Sequence, residues 1–272
     1  MSEDDPMQNE RNGDVDRLIA LLIDADNMSH AVIPAIIAEL SKYGTANIRR
    51  AYGDWGSEYL AGWRGKLLEF AIRPMQQFSY TSGKNATDIA LIIDAMELLH
   101  TQRADGFCIV SSDGDFTPLI MHLKEAGKRV YGFGRENTPV SFVNACTTFL
   151  YVERLEVVEG ANREVAKALP VAPATKVVSP KSGKALAEDT RLVTALRGAV
   201  EACKGDDGWA HLGAAGGAVK RQAPIDPRNY DRKNFRALFD DINLFVVERA
   251  PNGQFYIADA SNKDKTTKPT AK

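Results

Sequence analysis

Short apolar runs alternate with helical segments along the first 155 residues, and this alternation restricts the possible folds more than any other feature. Apolar runs of about four to eight residues are typical of buried strands, and apolar residues three or four apart are typical of helices. Strands are predicted at Arg17–Ile23, Asn47–Tyr52, Ile72–Gln77, Gly106–Ser111, Arg129–Phe133 and Phe149–Tyr151. The predicted helices run from Asn27 or Ser29 to about Tyr43, over Glu58–Phe70, from Thr87 or Asp88 to His100, over Phe116–Ala126 and over residues 138–146. This order predicts an α/β domain with a parallel sheet and right-handed crossovers.

A second, smaller unit is predicted near the C-terminus. Its predicted helices are Asp189–Cys203, Trp209–Arg221 and Arg232–Ile242, followed by short β runs at Phe245–Glu248 and Gln254–Ile257. Asn-Gly between two β runs is a strong hairpin signal, and three helices closed by a hairpin make a winged helix-turn-helix. The predicted organisation is a disordered N-terminus (1–16), the α/β domain (17–157), a flexible Ala-, Pro- and Lys-rich linker (158–187), the winged-helix domain (188–260) and a basic tail (261–272).

The charge is distributed unevenly along the chain. Its 272 residues include 34 basic and 36 acidic side chains, for a net charge of −2. Residues 1–160 hold 15 basic and 23 acidic residues, whereas 161–184 hold five basic and one acidic, and 263–272 hold four basic and one acidic. An acidic first domain is a poor binder of phosphate backbones unless its carboxylates hold metal ions.

The cysteines and the apolar runs bear on the compartment. Cys108, Cys146 and Cys203 are far apart and lack the spacing of a disulfide framework or a metal site, which favours reduced thiols. The acidic N-terminus is unlike a signal peptide, and no apolar run approaches the roughly 20 residues that a membrane helix needs. We therefore expect a cytoplasmic protein with no membrane partner.

Four aspartates are candidates for one site: Asp24, Asp88, Asp113 and Asp115. Asp24 ends the first predicted strand, Asp113 and Asp115 follow the strand at 106–111, and Asp88 opens a helix. Parallel sheets carry their sites at the carboxyl ends of strands, so these side chains are expected to converge. Carboxylates without nearby Cys or His suit Mg²⁺ or Mn²⁺, which can activate water against a phosphodiester. Aspartates after strands also commonly form turns and helix caps with no chemistry.

For several further residues, a functional and a structural interpretation are both open. Asp26 is a ligand or a cap, and Asp94 lies about 120° from Asp88 around the helix, so it either bonds structurally or sits at the edge of the site. Lys84 and Arg135 are candidates for contact with phosphate, although exposed basic residues usually have no special role.

Three segments, LLIDADNMS, KNATDIALIIDAME and FCIVSSDGDFTPLIMHLKEAGKRVYGFG, together resemble the NYN domain (LabA-like, DUF88) of the PIN-like nuclease superfamily over residues 17–155. The resemblance implies a Rossmann-like α/β/α sandwich and a metal-dependent ribonuclease. It also implies that Asp24, Asp88, Asp113 and Asp115 are the metal-binding acids, with Asn27 and Ser111 as auxiliary residues.

The segment from Gly208 to Asp259 resembles the OST-HTH or LOTUS domain, a winged-helix module linked to RNA or protein partners, and the match extends over residues 188–260. The NYN and OST-HTH pair recurs in bacteria. Candidate RNA contacts in this module are Lys220, Arg221, Arg228, Arg232, Lys233 and Arg236. The alternative is a solvated face balanced by Asp226, Asp231, Asp240 and Asp241.

Three functions remain open from the sequence. The first is a Mg²⁺- or Mn²⁺-dependent ribonuclease, which we expect to be endonucleolytic. The second is a non-catalytic RNA-binding or adaptor regulator. The third is a haloacid dehalogenase-like phosphatase, in which Asp24-x-Asp26 would supply the nucleophile and the acid, but Asp88 has no role there. The RNA target and the oligomeric state stay open, with a homodimer one option.

Overall fold

A computed structural model describes residues 17–78, 86–101, 103–155, 183–261 and 269. The chain divides into two compact units, one formed by the described residues up to 155 and the other by those from 183 onwards. The predicted disordered N-terminus, Lys84, most of the predicted linker and most of the basic tail lie outside the described residues.

The first unit is an α/β domain of strands and helices in alternation. Its strands are β1 (Leu18–Asp24), β2 (Thr45–Gly53), β3 (Arg73–Gln76), β4 (Gly106–Val110), β5 (Arg129–Gly134) and β6 (Thr148–Tyr151). Its helices are α1 (Ile33–Leu40), α2 (Trp63–Glu69), α3 (Ala86–His100), α4 (Thr117–Glu125) and α5 (Val140–Ala145). The six strands predicted from the apolar runs are therefore confirmed.

All six strands form one parallel sheet in the order β3-β2-β1-β4-β5-β6. The order reverses between β1 and β4, and in sheets of this kind a crevice opens at that point, outside the carboxyl ends of the strands. Both β1 and β4 end in the acidic segments singled out above. The topology thus puts Asp24 and the loop that carries Asp113 at adjacent strand ends.

The sheet is buried between two layers of helices, as a PIN-like α/β/α sandwich requires. Ile19, Leu21 and Ile23 of β1 pack into the core on the side of α1 and α2. Ala20 and Leu22 pack into the core formed with α3, α4 and α5. Because both faces are covered, β1 is a continuous apolar run and not an alternating one.

Two predicted helices differ from the structure at their ends. The first begins with a 3₁₀ turn capped by Ser29, whose Oγ accepts the backbone N–H of Ala31, and α1 ends at Leu40, before the predicted end near Tyr43. The predicted helix Glu58–Phe70 is divided into a 3₁₀ turn over Glu58–Leu60 and α2. The break falls at Gly62, where a Cβ would collide with the His30 ring.

The second unit is a winged helix, as predicted. It contains α6 (Gly183–Ala187), α7 (Thr190–Cys203), α8 (Leu212–Gln222) and α9 (Phe235–Ile242), with strands β7 (Ala210–His211), β8 (Phe245–Arg249) and β9 (Phe255–Asp259). The predicted hairpin is β8–β9, and β7 adds a third antiparallel strand beside β9. β7 is only two residues long, too short for any apolar pattern to indicate it.

The boundary of the predicted linker needs a correction. Residues 183–187, predicted as the end of the linker, form α6. The side chain of Leu186 is fully buried in the core of the second unit, together with Leu192 and Leu238. Burial of this one leucine against helices that follow it orders a segment whose own composition is typical of a linker.

Leu186→Ala should destabilise the second unit, because it removes a fully buried side chain and leaves a cavity. We expect a loss of about 2–4 kcal/mol in the free energy of unfolding of this unit, measured by chemical denaturation of the full chain. Glu188→Ala, at an exposed neighbouring position, is the matched control. Equal stability of the two variants would contradict the assignment of α6 to the second unit.

Candidate active site

Asp24 is a fully buried carboxylate at the carboxyl end of β1. Its Oδ2 accepts hydrogen bonds from Ser111 Oγ at 2.7 Å and from Asn27 Nδ2 at 2.8 Å, and its Oδ1 accepts the backbone N–H of Asn27 at 3.3 Å. Burial raises the pKa of Asp24, and the hydrogen bonds from Asn27 and Ser111 oppose that rise. Asn27 and Ser111 therefore hold this carboxylate in place and help to keep it charged.

The loop after β4 carries the second group of site residues. Ser111 Oγ, while donating to Asp24, accepts the backbone N–H of Asp113 at 3.0 Å. Asp113 Oδ1 in turn accepts the backbone N–H of Asp115 at 2.9 Å and caps the 3₁₀ turn Gly114–Phe116. A chain of short hydrogen bonds thus links Asp24, Ser111, Asp113 and Asp115. Asp113 is therefore a helix cap, which was the alternative to a role in the site, and it also belongs to the loop that carries Asp115.

Asp88 stands in the first turn of α3 and completes the group of acids. Its pKa is raised to about 6, first by partial burial and then by the negative charges of Asp24, Asp113, Asp115 and Asp26. The four other carboxylates therefore lie within electrostatic reach of Asp88. This arrangement is consistent with the expectation that acids at the ends of the strands and at the start of the helix lie near one another.

Asp26 is tied to the same helix. Thr87 Oγ1 donates a hydrogen bond to Asp26 Oδ2 at 2.7 Å, which joins the loop after β1 to the start of α3. Sequence reasoning did not assign Thr87 a role in the site. No local sequence signal indicates this role, because the two residues are 61 positions apart in the chain.

Asp94 is on α3 but bonds away from the acidic group. Its carboxylate forms an ion pair with Arg50 and accepts a hydrogen bond from the Tyr52 hydroxyl, both on β2. Asp94 is buried. Of the two roles considered for Asp94, the structure therefore favours the structural one. Asp94 anchors α3, which carries Asp88, to the sheet. Burial raises the pKa of Tyr52, and the hydrogen bond to the charged Asp94 raises it further.

The donor set fits a hard divalent cation, because the acids supply only carboxylate oxygens and their repulsion is relieved by a positive charge. Within the described ranges, however, no three Asp, Glu, His or Cys side chains already lie close enough together to hold a metal ion. To coordinate one ion, the carboxylates that act on Asp88 would therefore have to move closer together.

The candidate phosphate-binding residues of the two units differ in their surroundings. Lys84 lies outside the described residues, and Arg135 is half-buried just after β5, with its backbone N–H bonded to Ser112 Oγ at 2.8 Å. In the second unit Arg228 pairs with Asp226, Arg232 with Asp241, and Arg236 with Asp240. Lys220, Arg221 and Lys233 are exposed. Acidic neighbours therefore offset three of the six basic residues proposed for RNA contact.

The order of the parallel sheet and the helices on both its faces define the first unit as a PIN-like α/β domain. The NYN domain family matches residues 18–155, about half of the chain, and the chain belongs to this family. The OST-HTH/LOTUS domain family matches residues 187–257. Both resemblances inferred from the sequence are confirmed, in the predicted order. None of the helices in the described ranges is long and apolar enough to cross a membrane.

Two other proteins are similar to part of this chain. The uncharacterized protein MJ0482 of Methanocaldococcus jannaschii is 33% identical over 123 residues, which is 43% of this chain and 48% of that protein. The match thus spans about half the length of this relative. A solved structure of a protein of unknown function, VPA0982 of Vibrio parahaemolyticus, has 19% identity and a TM-score of 0.43, and the match covers 51% of this chain and 94% of that one.

Asp88→Asn should stabilise the metal-free protein above pH 6 even though it removes a candidate ligand. The pKa of Asp88 rises from 3.8 to about 6 in the folded state, so folding takes up protons and the carboxylate costs stability as pH rises through this range. After allowance for solvent screening, we expect a gain of about 1 kcal/mol, or about 2–4 °C in melting temperature.

The measurement is thermal unfolding in a chelator at pH 7.5 and at pH 5. The stabilisation should shrink at pH 5, where Asp88 is largely protonated in the wild-type protein. Glu97→Gln, an exposed position on the same helix, is the control and should change little at either pH. A destabilised Asp88→Asn variant at pH 7.5 would contradict the repulsion assigned to the five acids.

Proposed function

We propose that this chain is a metal-dependent ribonuclease that hydrolyses RNA phosphodiester bonds at the acidic site and binds RNA through its winged helix. The observation that carries the proposal is the buried Asp24, held by Ser111 and Asn27 at the switch point and sharing its electrostatic field with Asp88, Asp113 and Asp115. Membership of a family in the PIN-like nuclease superfamily supports the same reaction.

Asp24, Asp88, Asp113 and Asp115 are the residues that would hold Mg²⁺ or Mn²⁺. When bound, such a cation lowers the pKa of a water molecule and neutralises charge that develops on the phosphate. The chain itself orients the carboxylates: Ser111 and Asn27 fix Asp24, and Thr87 fixes Asp26. Asp94 positions Asp88 indirectly, by anchoring α3 to Arg50 and Tyr52.

The phosphatase alternative has less support than the nuclease. It gives no role to Asp88, yet Asp88 lies in the electrostatic field of Asp24. The non-catalytic alternative is favoured by one observation, namely that the described acids do not form a ready-made metal-binding group. It predicts RNA or protein binding that needs no metal and does not depend on Asp24 or Asp113.

Asp24→Asn and Asp113→Asn should each lower metal-dependent RNA cleavage by about a hundredfold or more, because each removes a charge that would hold the cation. The assay follows cleavage of a labelled RNA with added Mg²⁺ or Mn²⁺ and with a chelator. A circular form of the same RNA tests the proposed endonucleolytic mode, since an exonuclease cannot begin on it.

Glu97→Gln is the matched control, because it removes an exposed carboxylate from the first unit and should leave cleavage unchanged. If purified wild-type protein with added metal leaves RNA intact, or if both aspartate variants cut as fast as the wild type, the nuclease proposal is wrong. Intact RNA that remains bound would favour the non-catalytic alternative.

The winged helix offers a separate test of RNA binding. Lys233 is exposed next to the start of α9 and is a candidate phosphate contact. Lys233→Ala should weaken binding to unrelated RNA sequences by similar factors, and should lower the slope of log K against log salt by roughly 0.7–1. Binding is measured by fluorescence anisotropy at several salt concentrations in the Asp113→Asn background.

Arg191→Ala removes one positive charge from an exposed position on α7 and serves as the control. A smaller slope for Lys233→Ala than for Arg191→Ala supports a phosphate contact. Identical slopes of log K against log salt for the two variants would mean that Lys233 is solvated and contacts no phosphate.

A further inference from the structure

A cavity of about 630 Å³ lies beyond the carboxyl ends of β2 and β3. Its walls include Trp55, Arg64, Leu67, Pro74 and Gln76. We call it the Trp55 pocket. Because all strands of the sheet are parallel, its opening is at the same edge as the acidic site, on the side of β2. Its volume is within the usual range of small-molecule sites, ample for a nucleobase with its ribose.

Gly53, at the end of β2, lies close both to the Trp55 pocket and to an acid of the site. A Cβ on Gly53 would lie 2.6 Å from Cδ1 of Leu60, another residue of the pocket wall, and 3.0 Å from Oδ1 of Asp26. The wall of the pocket is therefore next to the loop that carries Asp26.

The Trp55 indole is fixed in position before any ligand arrives. Its Nε1 donates to the backbone carbonyl of Met75 at 3.1 Å, and its backbone N–H donates to Gln76 Oε1 at 3.0 Å. Its ring also meets the buried Trp63 edge to face, with centroids 6.2 Å apart. An aromatic ring held in this way loses little conformational entropy when a second ring stacks on it.

The charged groups in the wall favour a base over a phosphate alone. Arg64 is the positive side chain of the wall, and within the described residues its guanidinium has no hydrogen-bond or ion-pair partner. Glu58, also in the wall, adds a negative charge that works against a purely phosphate ligand. A planar guanidinium beside an indole is suited to a flat aromatic ring with an attached phosphate.

We propose that the Trp55 pocket receives one nucleobase of a single-stranded RNA whose neighbouring phosphate lies at the acidic site. This inference rests on the proposed nuclease function and adds to it a preference for unpaired RNA. A base paired within a duplex cannot leave its stack to enter the pocket without the cost of unpairing. Stacking accepts any base, so the pocket selects strandedness more than sequence.

The test is photocrosslinking of the full chain in the inactive Asp113→Asn background, with added Mg²⁺ or Mn²⁺. The probe is a single-stranded RNA that contains 5-iodouridine, which crosslinks to aromatic side chains on which it stacks. The attachment site is mapped by mass spectrometry. We expect a crosslink at Trp55, reduced about tenfold by an unlabelled single strand and much less by the same amount of duplex.

Ala61→Phe should fill the pocket and lower this crosslink about tenfold, because Ala61 is in the wall and exposed. Ala38→Phe, an exposed alanine on α1, is the control and should leave the crosslink unchanged. Arg64→Ala is a second variant, which removes the positive charge without filling the pocket, and it should lower the crosslink at least severalfold. Lys66→Ala, on the same helix, is its control.

Any of three results would overturn the proposal. The first is that no crosslink forms at Trp55, and the second is that unlabelled duplex competes for it as well as unlabelled single strand does. The third is that both Ala61→Phe and Arg64→Ala leave the crosslink unchanged. Cleavage by the wild-type chain is measured separately with added metal. Cleavage without the Trp55 crosslink removes the pocket proposal and keeps the nuclease. The Trp55 crosslink without cleavage confirms base binding and removes the nuclease.

Discussion

The hydrogen bond from Ser111 to the buried Asp24 links the carboxyl ends of β1 and β4, the two central strands, where the strand order of the sheet reverses. A carboxylate in a site with no solvent exposure is costly unless hydrogen bonds compensate for the lost water. Asp24 has two side-chain donors and one backbone donor. Because Ser111 also accepts from the backbone of Asp113, the position of one acid determines the position of the next. The remaining site residues are arranged around this connection.

Repulsion among the acids shapes the rest of the site. Burial and the negative charges of Asp24, Asp26, Asp113 and Asp115 together raise the pKa of Asp88 to about 6. The fold holds them together through contacts outside the group, above all the Arg50–Asp94–Tyr52 cluster that anchors α3 to β2. The acidic first domain, which at first argues against nucleic acid, is therefore consistent with phosphate binding through a cation.

The two units divide the proposed work. The NYN unit carries the acids and the Trp55 pocket, and the OST-HTH unit carries exposed Lys220, Arg221 and Lys233. Arg228, Arg232 and Arg236 of the second unit each pair with an aspartate, and the Arg236 guanidinium also packs 3.9 Å from the centroid of the Phe255 ring. Side chains so engaged contribute to packing as well as to charge.

The alternation of apolar runs was enough to predict six parallel strands, because strands that are buried on both faces are continuous apolar runs. Three predicted helices followed by an Asn-Gly hairpin signal predicted the winged helix. What the tertiary structure decided are contacts between distant residues: Ser111 with Asp24 across 87 positions, Thr87 with Asp26 across 61, and Tyr52 with Asp94 across 42. The burial of Leu186, which orders α6, is of the same kind. No local pattern encodes such pairs, since each depends on where two separate elements pack, and a polar group takes whichever partner that packing supplies.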